Sequence, residues 1–163
     1  MRSDDEIVEA VRKAREAYAA QFDFDLARIF EDLKGKGETI LLVDDVAEQR
    51  EIASGILGRL GYNVVTASSG EQAIAYVKSN SVDLLILDMI MAPGIDGLET
   101  YRQCRKIHPD QKAIIASGYS ESEKVKQAQS LGAGAYLRKP YTIRKMGETV
   151  LNELREHPPK TEA

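Results

Sequence analysis

From residue 39 the chain alternates short apolar runs with amphipathic stretches of 10 to 15 residues, and this rhythm is its strongest constraint on fold. The apolar runs are TILLV (39–43), YNVVTA (62–67), VDLLIL (82–87), KAIIAS (112–117) and AYLRK (135–139). Their nearly uninterrupted apolar character is what a strand covered on both faces requires. Between them the spacing predicts helices over 46–60, 70–79, 97–107, 121–131 and 142–155. Ile52, Ile56, Leu57 and Leu60 recur at helical intervals in the first of these, and Val125, Ala128 and Leu131 form a weaker stripe in the fourth. Strict alternation of this kind gives a parallel sheet wrapped by helices through right-handed crossovers. Gly61, Gly70, Gly97, Gly132 and Gly134 stand at the boundaries, where helices end or turns open.

The first 38 residues break the rhythm. Ile7, Val11, Ala14 and Tyr18 are spaced as one helical stripe, while Leu26, Ile29, Phe30 and Leu33 suggest a second short helix after FDFD. GKGE at 35–38 reads as a flexible joint. The expected organisation is a helical extension or linker over 1–37, one domain over 38–156 and a flexible tail over 157–163. The stripe at 7–18 fits packing against the domain or a second copy, and equally a segment cut from a larger parent. With 163 residues, 43% of them hydrophobic, the chain can build one sizeable core but not two ordinary domains.

No apolar run is long enough to cross a bilayer as a helix, and MRSDDEIVEA lacks the apolar stretch of a secretory signal. Cys104 is the only cysteine, which excludes an internal disulfide and fits a reducing, cytoplasmic setting. A formal net charge of -4 offers no electrostatic footprint for nucleic acid, so proteins or small ions are the expected partners.

In a parallel sheet all carboxyl ends open on one edge, where ligands of open α/β folds bind. Asp44 and Asp45 follow the first run, Asp88 the third, Ser117 ends the fourth and Lys139 the fifth. Three carboxylates placed together repel one another. Mg²⁺, commonly held by one or two carboxylates together with waters and a phosphate oxygen, relieves that repulsion. Lys139 and Ser117 suit the remaining oxygens of a small anion. A carboxylate beside a cation and a phosphoryl group can act as a nucleophile and form an aspartyl phosphate. Taken singly, each residue has a plainer reading. Asp44 or Asp45 could cap the following helix, and Lys139 could protect an edge strand.

"ILLVDD", "LLILDM", "PGIDGLE", "AIIASG" and "GAGAYLRKP" together resemble the receiver domain of two-component response regulators, over about residues 38 to 156. The resemblance implies a flavodoxin-like (CheY-like) doubly wound sheet of five parallel strands in order 2-1-3-4-5, preceded here by an added helical segment. It implies that Asp88 is the phosphoacceptor, and that Asp44, Asp45, Asp88 and the Ile90 backbone carbonyl hold Mg²⁺, with Asp45 the more direct of the acidic pair. Ser117 and Lys139 would engage the phosphoryl group, with Pro140 following Lys139 through a cis bond. Tyr136 falls where the family carries its switch aromatic, so Ser117, Tyr136, Lys139 and Pro140 form the implied switch; the plainer reading of Tyr136 is an edge tyrosine with a wet hydroxyl. The implied partner is a histidine kinase or histidine phosphotransfer domain. A homodimer through the amino-terminal helix or the fourth and fifth helices is a further expectation.

One departure is visible. Pro93 follows Asp88 by five residues where the family usually places it at four, so the loop is expected to bulge outward by one residue without moving Asp88. Such loops, and the lead-in FEDLKGKGETILLVDD, look most like receivers fused to hybrid histidine kinases, although no ATP-binding portion of a kinase is recognisable and HPPKTEA is too short for a DNA-binding domain. GKG at 35–37 does not satisfy a phosphate-binding loop, and His108 and His157 have no ligand-like spacing to Cys104.

An alternative function is a Mg²⁺-dependent aspartyl-phosphate phosphatase acting on a small phosphate ester. Such enzymes need a second Asp two residues after the nucleophile, where this chain has Ile90. A scaffold that has lost its switch is disfavoured by the complete set of site residues. In receivers the positions of Ile90 and Tyr119 overlook the phosphoryl group, and neither side chain holds an attacking water well, so slow self-dephosphorylation is expected.

Overall fold

Ile40, Leu41, Leu42 and Val43 are all buried, as a strand needs when helices cover both its faces. They belong to β1 (Thr39–Val43), the first of five parallel strands with β2 (Asn63–Ala67), β3 (Leu84–Asp88), β4 (Ala113–Ser117) and β5 (Tyr136–Arg138). The computed structural model describes residues 4–118 and 123–156. Six helices accompany the strands: α1 (Asp4–Asp32), α2 (Ala47–Arg59), α3 (Gly70–Ser79), α4 (Gly97–Ile107), α5 (Glu123–Ser130) and α6 (Ile143–Glu156).

The sheet order is β2-β1-β3-β4-β5, as expected for this doubly wound fold. Its register is continuous across the centre: Val43 lies beside Ala67 and Leu87, and Asp88 beside Ala116. That register sets the acidic end of β1 next to Asp88. One core layer joins Leu41, Leu85 and Ile115 of the sheet to Ala73 and Val77 of α3 and to Leu98 and Tyr101 of α4. α6 closes another part of the fold with Met146 and Val150 buried.

Several expectations need correction. The amino-terminal segment is one helix, Asp4–Asp32, not two. FDFD contains neither Gly nor Pro, so modest helix propensity lowers the helix's stability there without breaking it. The chain divides into two compact units, Met1–Leu33 and Lys34–Ala163, so α1 stands as a unit of its own. GKGE is tied down within the larger unit. Gly35 N–H donates to the Leu60 carbonyl at 2.6 Å and Asn63 Nδ2 donates to the Gly37 carbonyl at 2.8 Å. The Tyr62 ring lies where a side chain at residue 35 would sit, which is why glycine stands there.

Ile52 does not join the buried face of α2. It is 59% exposed, while Ala53, Leu57 and Leu60 are buried. Leu131 likewise lies beyond the end of α5 and is exposed, leaving Val125 and Ala128 as that helix's core residues.

Candidate functional site

The carboxyl edge of the sheet gathers its polar side chains as the strand order requires. Oxygens of Asp44, Asp45 and Asp88 lie within 4.8 Å of one another, the only such group of potential metal ligands among the described residues. Asp44 is buried. Its Oδ1 accepts the Val46 N–H at 2.9 Å and its Oδ2 accepts Lys139 Nζ at 2.7 Å. Asp45 is exposed beside it. Neither caps α2, whose N-cap is Val46 with no side-chain bond.

Asp88 closes β3 half-sheltered, with its Oδ2 3.7 Å from Lys139 Nζ. Burial pushes its carboxyl above the usual 3.8, Lys139 opposes the shift, and nearby Asp44 adds to it. The native state therefore keeps this proton over a pH window above 3.8 in which the unfolded chain has lost it. Stability falls as pH rises through that window. Asp88→Asn is thus expected to raise metal-free stability at neutral pH, and the gain should shrink as pH falls to 4 and below. Urea unfolding of both chains across pH, in a chelator, checks this; a destabilised variant at neutral pH contradicts it.

The loop after Asp88 is held at several points. Met89 and Met91 are buried, and the exposed residues are Ile90 and the run Ala92 to Gly94. Glu71 Oε1 at the start of α3 accepts the Ile95 N–H at 3.0 Å. Asp96 caps α4 through the Glu99 N–H at 2.9 Å and pairs with Lys124 Nζ of α5 at 2.7 Å. Gly97 N–H donates to the Met89 carbonyl at 3.0 Å, drawing α4 against the strand end.

Ser117 is buried at the end of β4, and its carbonyl accepts the Lys139 N–H at 2.8 Å. The same carbonyl is 3.4 Å from the hydroxyl of half-buried Tyr136, so that hydroxyl is not simply wet. The Lys139–Pro140 bond is cis, as the resemblance implies, and so is Ala92–Pro93. Tyr119 and His157 lie outside the described residues. His108 Nε2 meets the Val77 carbonyl at 2.9 Å, away from any ligand set, and burial pushes the Cys104 thiol up to about 11.

Above the acidic group opens a cleft of about 750 Å³, bordered by Val46, Ile52, Ile90, Pro140 and Tyr141. Another cleft, of about 580 Å³, opens at the opposite edge of the sheet beside Asp83, His108 and Lys112, without a comparable carboxylate group among the described residues.

A family model described as the response regulator receiver domain matches residues 40–161. The chain belongs to this receiver-domain family. Among curated relatives, the sporulation initiation phosphotransferase F of Bacillus subtilis is 32% identical over 113 residues, covering 69% of this chain and 90% of that one. The sensor kinase CckA of Brucella abortus is 34% identical over 121 residues, which are 73% of this chain but 13% of the kinase. Among solved structures, a CheY-like receiver from Methanospirillum hungatei superposes with a TM-score of 0.70 at 28% identity, covering 74% of this chain and 96% of that one. TrrA of Thermotoga maritima, solved with Mg²⁺ and BeF, gives 0.65 at 34% identity, covering 71% and 98%. This receiver is therefore a phosphoacceptor module with the clustered acidic site typical of Mg²⁺-dependent aspartyl-phosphate signalling. Among the described residues no helix is long and apolar enough to cross a membrane.

Sequence reasoning missed Gln49, Arg50 and Glu71. Gln49 Oε1 accepts Lys139 Nζ at 2.7 Å, and Arg50 Nη1 donates to the Asp44 carbonyl at 2.7 Å. Only the position of Arg50 and Gln49 in the first turns after DD hinted at them.

Proposed function

We propose that Asp88 is the residue phosphorylated, and that it takes the group from a phosphohistidine of a histidine kinase or phosphotransfer domain. The observation carrying this reading is the convergence of Asp44, Asp45 and Asp88 within 4.8 Å beside Lys139. A carboxylate oxygen of Asp88 attacks phosphorus, the P–N bond breaks, and its electron pair returns to the imidazole. Lys139 then donates to a phosphoryl oxygen and Ser117 to another. Asp44, Asp45, Asp88 and the Ile90 carbonyl would hold Mg²⁺, which when bound offsets the charge of the phosphoryl oxygens. The donor set is all oxygen, and the burial-raised Asp88 carboxyl beside two further acids fits a hard cation.

Ser117 moving toward the phosphoryl group would release Tyr136 to follow, changing the surface over β4 and β5 that a partner reads. The exposed Ile7, Val8 and Val11 of α1 support pairing with a second copy, which molar mass in solution tests. The sensor-kinase relative supports a place within a hybrid kinase, as does the share of it that this chain spans.

The test uses acetyl phosphate and a small phosphate ester with Mg²⁺. One phosphoryl group per intact chain and none on Asp88→Ala is expected from acetyl phosphate. Sustained turnover of the ester would favour the phosphatase instead. Ile90 is 55% exposed at the cleft's edge and offers water no polar group. Slow self-dephosphorylation is therefore expected, with Ile90→Asn losing phosphate several-fold faster at nearly unchanged Mg²⁺ affinity. Equal release rates would remove Ile90 from that role.

A further inference from the structure

We propose that Gln49 is a positioning residue for phosphoryl transfer, holding the Lys139 ammonium off Asp88 so that the acceptor carboxylate stays free to attack. The inference rests on Asp88 being the acceptor. Lys139 has three N–H donors and no acceptor. Its Nζ lies 2.7 Å from Asp44 Oδ2 and 2.7 Å from Gln49 Oε1, but 3.7 Å from Asp88 Oδ2, which is outside hydrogen-bonding range. Two of the three donors are thus committed to groups other than the nucleophile.

The amide of Gln49 must present its oxygen to the ammonium, because the –NH₂ end has nothing with which to accept. The residue is also well placed to hold a position. It sits in the first turn of α2, which is fixed to the acidic strand end by Arg50 N–H to the Val46 carbonyl at 3.0 Å and Arg50 Nη1 to the Asp44 carbonyl at 2.7 Å. A neutral acceptor suits the task. It restrains the cation without adding a fourth carboxylate to the cleft, and it yields when a phosphoryl oxygen, a stronger acceptor, arrives.

Without this contact the ammonium closes on Asp88, and that ion pair must open before the carboxylate can attack. The rate constant for phosphorylation then falls while binding of the donor does not. Asp44 alone cannot hold the cation away, since it anchors one donor and leaves the side chain free to pivot about it.

Two variants test this in the full chain: Gln49→Met, close in shape but with no oxygen, and Gln49→Ala, at an exposed helical position where Ala is the best helix former. Phosphorylation is followed against acetyl phosphate concentration at saturating Mg²⁺. Both variants should show a limiting rate reduced roughly 3- to 10-fold, the worth of part of one charge-assisted hydrogen bond, with an unchanged half-saturating concentration. The ¹⁵N resonance of the Lys139 ammonium in the resting chain should shift in both, a change that a purely structural role for Gln49 would not cause. Unchanged limiting rates, or an unmoved Lys139 resonance, overturn the proposal. Failure of the intact chain to be labelled at Asp88 would instead overturn the reading on which it rests.

Discussion

Replacing Lys139 by Met is expected to lower the stability of the metal-free chain by about 2–4 kcal/mol, the cost of stripping one partner from a buried ion pair. Lys139 and Asp44 have side chains only 15% and 7% exposed and meet at 2.7 Å, so water cannot easily replace the ammonium. The same cation lies 3.7 Å from the Asp88 carboxylate and is the only amine or guanidinium within 4 Å of either acid's carboxylate among the described residues. Its removal leaves Asp44, Asp45 and Asp88 mutually repelling. Mg²⁺ should recover part of the loss by binding the folded state, so the variant's thermal midpoint should rise more with Mg²⁺ than that of the intact chain. Thermal unfolding with and without Mg²⁺ checks both statements. A metal-free midpoint equal to that of the intact chain would show that the acids do not depend on Lys139.

Gly97→Ala is expected to cost about 2–3 kcal/mol and to slow phosphorylation about tenfold. A Cβ at residue 97 would fall against the Asp88 carbonyl oxygen and 2.9 Å from Met89 Cα. Both are backbone atoms of the strand end that carries the acceptor, so no flexible side chain can yield. Either α4 withdraws, opening the core at Leu98 and Tyr101, or the segment bearing Asp88 shifts. Gly55→Ala is the control: nothing lies within 4 Å of its added Cβ in α2, and Ala should stabilise the helix there. Urea unfolding and labelling rates of the two variants separate the effects. Equal behaviour of the two would contradict the account of Gly97.

Much of this was legible in the sequence because burial on both faces leaves a plain mark. TILLV is β1 to the residue, and the stretches 70–79 and 97–107 are α3 and α4 to the residue. The order of strand ends then places Asp44, Asp88, Ser117 and Lys139 on one edge without further information. What stayed hidden depends on contacts rather than on pattern. Ile52 fits a helical stripe as well as Ala53 does, and only packing decides which faces the sheet. GKGE has the composition of a flexible joint, but the Tyr62 ring and the Leu60 carbonyl hold it in place. Gln49 and Glu71 are ordinary surface residues by composition. Their importance comes from Lys139, 90 positions away, and Ile95, 24 positions away.

The central claim is that Asp88 carries the phosphoryl group. Reduction by borohydride converts an aspartyl phosphate to homoserine, and peptide mass mapping after phosphorylation with acetyl phosphate and Mg²⁺ then locates it. The predicted result is homoserine at residue 88 alone, absent when Mg²⁺ is chelated. Homoserine at Asp44 or Asp45, or modification of the Asp88→Ala chain to the same extent, would contradict it.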